Sequence, residues 1–217
     1  MTESYWNVNI PPDHHTVDCP SYLLYAFNNP KDRAIFQTPD AEYRPHSWSD
    51  IYEIVAANRL DLFRRRPSQL RRYRQYLEHV AQQHGELTQF LLRERLKWSQ
   101  GNRSSGKALF ECEDDYTILH NDWPYGVDSH IVHLVVWAKF TLPCTPATDD
   151  LTPATRAAVD AFVRRTFGRD GDGNGNGDET RQVIWFVNGA ALKSVGAIEH
   201  VHVMLWDPDP EFVRSVS

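Results

Sequence analysis

An apolar segment at residues 131–140 constrains the fold of this chain more than any other stretch. It is rich in β-branched and aromatic side chains and nearly free of charge, which predicts a strand buried on at least one face. Two further strands are predicted at residues 182–187 and 198–206, where an apolar run and strict alternation occur. Because amphipathic helical patterns precede them, we predict an α+β fold: a single domain whose mainly antiparallel sheet is covered by helices from the N-terminal half.

Capping residues and periodicity predict where the helices begin and end. Ser47, with Asp50 three residues later, matches a capping box, and Pro67 and Pro153 are residues that favour the first helical turn. Glycines that follow two of the patterns are typical helix ends. The predicted helices span residues 47–57, 67–85, 86–98 and 152–168.

Composition changes along the chain suggest its domain organisation. Residues 1–46 are rich in Pro, Asn, Asp and aromatics without sustained periodicity, so we predict an extended N-terminal arm with little regular structure. Residues 47–217 are predicted to form a single α+β domain, which would hold any catalytic site. Within it, the Gly/Asp/Asn-rich residues 169–180 are predicted to be a flexible insert.

A polar turn leads directly into the first apolar strand. Asn121, Asp122, Trp123 and Tyr125 are combined there with a proline and a glycine that fix the turn. A buried strand holds such a loop rigidly, so these side chains are candidates for a binding or catalytic site. The alternative is a loop whose two aromatic residues only cap the hydrophobic core.

The last predicted strand contains two histidines on one face. His200 and His202 alternate with apolar residues, and same-face neighbours on a strand lie roughly 7 Å apart. Both imidazoles can therefore line one pocket, although buried histidines often serve only structural hydrogen bonds. The catalytic hypothesis requires that the polar turn and these imidazoles open onto a common cavity.

Charge and cysteine content limit the functional classes. The net charge of −6 argues against a general nucleic-acid binder, although a local basic surface remains possible. The three cysteines form no CxxC pair, so neither a disulfide framework nor a zinc site is indicated, and we predict no metal and no cofactor. No secretory signal or bilayer-length apolar run is present, so we expect a cytoplasmic protein without membrane contact.

Two charged clusters flank the predicted core. Six arginines fall within eleven residues, where they could bind phosphates or form a solvated helix face with surface ion pairs. They are Arg64, Arg65, Arg66, Arg71, Arg72 and Arg74. Asp114 and Asp115 belong to an acidic run just before the polar turn, which could bind a guanidinium group or simply be an exposed acidic turn.

Several motifs together resemble a known family. Asn121–Gly126 reads NDWPYG, residues 183–188 read VIWFVN, and residues 199–205 read EHVHVML. From about Tyr43 to Phe212 the chain resembles the fungal family named for N-acetylglucosamine-induced protein 1, a domain of unknown function that includes arginine-containing cyclodipeptide synthases. The segment that begins Asn188-Gly-Ala-Ala departs from the bulkier aromatic or basic sequence expected there.

The resemblance implies an arginine-containing cyclodipeptide synthase, a tRNA-dependent aminoacyltransferase. Such an enzyme would form a diketopiperazine from arginyl-tRNA and a second aminoacyl-tRNA, its two partners. Under this hypothesis, the catalytic candidates are His202, His200, Glu199, Asp122 and, as a nucleophile, Ser194. The substrate-binding candidates are Asp114, Asp115, Asn121, Trp123, Tyr125 and Asn188. The tRNA-binding candidates are the six arginines and Lys193.

Two other functions remain open. The chain is also similar to histidine-triad nucleotide hydrolases and transferases, in which the middle histidine, here His202, attacks a phosphate. Met204 stands where those proteins have His or Gln, and methionine cannot donate to a phosphate oxygen. The third reading is a non-enzymatic N-acetylglucosamine-response protein. The sequence leaves open the second amino acid, the general base and the oligomeric state.

Overall fold

A computed structural model describes residues 4–98, 102–168, 183–193 and 195–217. Within these ranges one sheet has four strands in the order β1-β2-β4-β3, and each neighbouring pair is antiparallel. The strands are β1 (Tyr116–His120), β2 (Ile131–Ala138), β3 (Val183–Phe186) and β4 (Glu199–Trp206). The α-helices are α1 (Pro30–Phe36), α2 (Trp48–Ala56), α3 (Pro67–His84), α4 (Leu87–Phe90), α5 (Pro153–Phe167) and α6 (Pro210–Val216).

The α+β prediction is confirmed, and so is the predicted helical cover of the sheet. Ser47 and Asp50 form a reciprocal capping box at the start of α2, as the sequence indicates. Strand β1 was not predicted, because Tyr116–His120 lies at the sheet edge and its side chains are only partly buried. The predicted insert at 169–180 lies outside the described residues.

One face of the sheet packs against α5. Val159 and Phe162 of the helix are at most 1% exposed, as are Leu134, Val201 and Val203 of the central strands, and all five belong to one hydrophobic cluster. Burying these side chains contributes roughly 1.5–3 kcal/mol each, so this cluster stabilises the contact between the sheet and α5.

The opposite face of the sheet packs against helices from the first half of the chain. Ile51 and Ile54 of α2 cluster with Phe186 and Met204 of the sheet. Helix α4 continues directly into a π-helical turn, Leu91–Arg95, where the sequence predicts one regular helix. The polar residues of this sheet face are therefore enclosed between the strands and the N-terminal helices.

The N-terminal arm is more regular than its composition indicates. It contains a 3-10 helix at Ser21–Asn28 as well as α1, whereas we predict little regular structure there. Leu23 and Phe36 are buried with Tyr73 of α3 in a separate cluster. The contacts with α3 stabilise these short helices, which local periodicity alone does not reveal.

The end of the arm closes tightly over Gly126. The Tyr43 hydroxyl donates to the Gly126 carbonyl at 3.0 Å, and the His46 amide donates to the same carbonyl at 2.9 Å. A Cβ at Gly126 would lie 1.9 Å from the Tyr43 hydroxyl oxygen. No side chain fits at this contact unless the arm moves.

We expect Gly126→Ala to lower the free energy of unfolding by about 1–3 kcal/mol, because the new methyl group forces the arm away from the turn. Urea unfolding measures the loss. Gly196→Ala is the matched control, since a Cβ at Gly196 meets no heavy atom within 4 Å. The double variant Tyr43→Ala with Gly126→Ala should lose less free energy of unfolding than the sum of the losses in the two single variants. Additive losses would contradict the proposed clash.

No helix in the described part of the chain is long and apolar enough to cross a membrane.

Candidate functional site

A cavity of about 110 Å³ lies between the polar face of the sheet and the N-terminal helices α3 and α4. The polar turn and both histidines of β4 reach it, so the structure confirms the predicted common cavity. The predicted candidates that line it are Asn121, Asp122, Trp123, Tyr125, Asn188, His200, His202 and Arg65. Aromatic residues that sequence reasoning did not select complete the wall, namely Tyr73, Tyr76, Phe90 and Trp137.

His200 is held with one ring nitrogen towards the backbone. Its Nδ1 lies 2.9 Å from the Ile198 carbonyl oxygen, and because a carbonyl only accepts, Nδ1 carries the proton. In a neutral imidazole the other nitrogen, Nε2, then has the lone pair, and it makes no hydrogen bond to the described residues. Burial lowers the pKa of His200, so the neutral form dominates at pH 7. This side chain can act as a base or a nucleophile.

His202 has both ring nitrogens engaged. Asn188 Nδ2 donates to His202 Nε2 at 3.0 Å, so His202 Nδ1 is protonated and donates to His133 Nε2, also at 3.0 Å. Asn188 Nδ2 donates in addition to the Tyr125 hydroxyl at 3.2 Å. Burial lowers the pKa of both His133 and His202. Burial therefore keeps both imidazoles neutral, and the hydrogen-bond network fixes their orientation.

The polar turn contributes stacking surfaces to the cavity. Trp123 lies against Tyr76, with ring centroids 4.9 Å apart, and Tyr125 stacks on Phe63 at 4.7 Å. The Asn121 side chain accepts from the Trp123 amide at 2.9 Å, which holds the turn. These two aromatic residues therefore both pack in the protein and line the cavity, so the core-capping and site readings are compatible.

Two arginines line the cavity in different electrostatic settings. Arg65 donates two N–H groups to the Trp123 carbonyl and lies 4.3 Å from the centroid of the Tyr73 ring, but it forms no ion pair with a described residue. Arg95, by contrast, binds Asp122 in bidentate fashion, at 2.9 Å and 2.6 Å. The cavity therefore has one cation without a counter-ion and one that is paired.

Several predicted site residues lie away from the cavity. Glu199 pairs with Lys193 at 2.7 Å, and Lys193 lines a separate cavity of about 270 Å³. Asp115 is buried and accepts from the amide and hydroxyl of Ser105, while Asp114 is exposed in a short 3-10 helix. The structure does not bring these four side chains into the site. Their assigned roles stay predictions, and Ser194 lies outside the described residues.

Half of the arginine cluster contacts the N-terminal arm. Arg74 pairs with Asp32 at 3.0 Å, Arg66 pairs with Asp40 at 3.0 Å, and Arg71 donates to the Trp6 carbonyl. Arg64 and Arg72 are exposed, and Arg65 points to the cavity. Three of the six guanidinium groups therefore contact the N-terminal arm, and binding of tRNA by the cluster stays a prediction.

Sequence reasoning missed His133 and Arg95. His133 is the one imidazole within the apolar run of β2, a signal that could have identified it. Arg95 has no such signal, because its position at the cavity follows from the irregular turn after α4. No cluster of three or more His, Cys, Asp or Glu within the described ranges is suited to hold a metal ion.

Comparisons with known proteins extend over most of the chain. The family model described as "Protein of unknown function (DUF3605)" matches residues 47–206. N-acetylglucosamine-induced protein 1 of Candida albicans is 26% identical over 187 residues, which cover 78% of this chain and 71% of that protein. Uncharacterized protein YPL067C of Saccharomyces cerevisiae is 31% identical over 166 residues, which cover 74% and 79%. The crystal structure of HTC1 aligns with a TM-score of 0.60 and 28% identity, over 79% of this chain and 92% of that chain.

Proposed function

This chain belongs to the DUF3605 family, described as a family of unknown function, and we propose that it is a cytoplasmic enzyme in which His200 attacks the phosphorus of a nucleotide-bearing substrate. The reaction class is nucleotide hydrolysis or transfer. The observation that supports it most is the neutral imidazole of His200, whose Nδ1–H is held by the Ile198 carbonyl at 2.9 Å and whose Nε2 has no partner among the described residues. A nucleophilic histidine needs this tautomer and this freedom.

In the proposed reaction, the Nε2 lone pair forms a bond to phosphorus while the bond from phosphorus to the leaving oxygen breaks. The leaving oxygen takes up a proton from water. Water or an acceptor hydroxyl then attacks the phosphorus and gives its proton to the hydroxide left by the first step, while the N–P bond breaks and the imidazole is restored. This assigns the attack to His200 and not to the middle histidine of the triad resemblance, because both nitrogens of His202 are already hydrogen-bonded.

The walls of the cavity suit the two parts of a nucleotide. Trp123 and Tyr76 offer aromatic faces on which a base can stack, a contact that is worth roughly 1–3 kcal/mol per base. Arg65 offers a guanidinium that is not neutralised by a described carboxylate, and a phosphate is its natural partner. The positive charge of Arg65 also helps to keep His133 and His202 neutral.

The direct test is incubation of the purified protein with a set of nucleotides, including nucleoside triphosphates, dinucleoside polyphosphates and sugar nucleotides. We expect new nucleotide products by liquid chromatography and, after an alkaline quench that preserves phosphoramidates, an intact-mass increase equal to the transferred group. Peptide mapping should place that adduct on His200. Absence of both product and adduct across the set would exclude the proposal.

A second candidate function is cyclodipeptide synthesis from arginyl-tRNA and another aminoacyl-tRNA. One observation favours it: at the same cavity the Asp122 carboxylate already binds a guanidinium, that of Arg95, in the bidentate geometry that an arginyl substrate would need. In that reaction the Nε2 lone pair of His200 would act as a base for the attacking amine.

Product analysis distinguishes the two candidates. The protein is supplied with charged tRNAs that include arginyl-tRNA, and the mixture is searched for arginine-containing diketopiperazines by mass spectrometry. A diketopiperazine without a histidine adduct supports the second candidate, whereas a phosphohistidine without a diketopiperazine supports the first. Asp122→Asn should abolish arginine incorporation in the second case.

A further inference from the structure

We propose that Arg95 is a second phosphate-binding residue that leaves Asp122 when substrate enters, so that Arg95 and Arg65 together hold a substrate with two adjacent negative charges, such as a nucleoside diphosphate group. The inference rests on the proposed nucleotide function and specifies the charge of its substrate. It starts from the ion pair at the mouth of the cavity, where the guanidinium of Arg95 meets Asp122 at 2.6 Å.

Exposure of the pair makes the exchange feasible. The side chains of Arg95 and Asp122 are 37% and 47% exposed. An ion pair in such a setting contributes little, because solvent screens it. A diphosphate group offers the guanidinium more negative charge and more acceptor oxygens than the Asp122 carboxylate does, which favours transfer of Arg95 to the substrate.

Charge balance in the cavity also favours this exchange. Arg65 and Arg95 are the arginines that line it, and Asp122 is the acidic residue that lines it. While Arg95 stays on Asp122, the cavity offers one net positive charge to a substrate. Release of Arg95 places two cations against a doubly charged group and leaves Asp122 to water, where its partial exposure makes an unpaired carboxylate inexpensive.

The wall of the cavity at Arg95 is formed by an irregular helical turn. Arg95 ends the π-helical turn Leu91–Arg95, and such turns often occur at functional sites. The cavity volume of about 110 Å³ is also below the 300–1,000 Å³ that is usual for small-molecule sites, so a nucleotide requires the wall to open.

The proposal predicts opposite effects of the two halves of the ion pair. Asp122→Asn removes the competing carboxylate and should tighten binding of ADP about two- to fivefold. Arg95→Gln removes a phosphate contact and should weaken ADP binding at least about tenfold. Adenosine, which lacks the phosphates, should bind with nearly the same affinity to both variants and to the parent protein.

Isothermal titration calorimetry with ADP, inorganic pyrophosphate and adenosine measures these affinities at fixed ionic strength. Arg93→Gln is the matched control: Arg93 is in the same turn and pairs with Glu94, but its side chain is 64% exposed and does not line the cavity. Thermal unfolding confirms that all variants remain folded. Two results would overturn the proposal: both site variants changing ADP affinity in the same direction, or Arg93→Gln weakening it as much as Arg95→Gln.

Binding and turnover separate this inference from the proposed function. Opposite effects on ADP affinity without any product or histidine adduct would support the charge exchange and contradict catalysis by His200. An adduct on His200 with same-direction effects of Asp122→Asn and Arg95→Gln would support the catalytic proposal and reject the exchange.

Discussion

His200→Ala is expected to slow nucleotide turnover at least about a hundredfold, because removal of a nucleophile or base typically costs factors of 10²–10⁴. The covalent adduct should also disappear from the intact-mass spectrum. The side chain makes one hydrogen bond, to the Ile198 carbonyl, and sits at the cavity wall, so the variant should remain folded. Steady-state kinetics and a urea unfolding curve on the same preparation test both statements.

The control for this variant is His130→Ala. His130 is exposed, pairs with Asp128 and does not line the cavity, so its removal should leave the rate within about twofold of the parent value. A His200→Ala protein that is folded and turns over at the parent rate would remove His200 from the mechanism.

The pH dependence of turnover provides a second readout for the same residue. Burial lowers the pKa of His200 below 6.5, and the neutral form is the reactive one. We therefore expect kcat/KM to be constant from about pH 7 upwards until another group titrates, and to fall as the pH drops through the lowered pKa. A rate that rises on acidification would contradict attack by a neutral imidazole.

Acidification is expected to destabilise the fold strongly through His133 and His202. Burial, with a smaller contribution from Arg65, lowers the pKa of His133 from 6.5 to about 3, and burial also lowers the pKa of His202. Below pH 6.5 the unfolded chain binds protons that the folded chain excludes, so stability falls as the pH falls. Each such histidine lowers the free energy of unfolding by about 1.4 kcal/mol for every unit by which the pH falls, until the pH reaches its folded-state pKa.

Urea unfolding between pH 6.5 and 4.5 measures this slope. The free energy of unfolding of His133→Leu should be lower at neutral pH, because His202 loses a partner. Since leucine cannot titrate, the slope of this free energy against pH should be smaller than in the parent protein by the contribution of about one proton. For His130 the sign is opposite, because Asp128 raises its pKa, and His130→Leu should therefore not flatten the slope. A His133→Leu slope equal to that of the parent protein would show that His133 is not held neutral.

The sequence patterns that predicted the fold correctly depend on interactions between residues that are close together in the chain. The Ser47–Asp50 capping box and the Thr152 cap with Pro153 gave the starts of α2 and α5, because each satisfies backbone groups within one turn. Alternation in β4 correctly placed Val201 and Val203 on the α5 face, opposite the histidines.

The features that were missed depend on contacts between distant segments. The arm forms helices because α3 supplies an apolar surface for Leu23 and Phe36, and Arg71 and Arg74 of α3 contact the arm. Asp115 likewise accepts hydrogen bonds from Ser105, ten residues away. Composition identifies such residues as charged but does not identify their partners.

The sequence by itself determined the α+β class, the starts of α2, α3 and α5, the two faces of β4 and the polar turn beside His200 and His202, because side-chain periodicity and capping act within a few residues. Only the tertiary structure decided which imidazole is available. Pairing of β2 with β4 places Val135 opposite His202, so that His133 reaches His202 diagonally and Asn188 closes the network. Those long-range hydrogen bonds occupy His202 and leave His200 Nε2 without a described partner, a difference that two histidines in one alternating strand do not show.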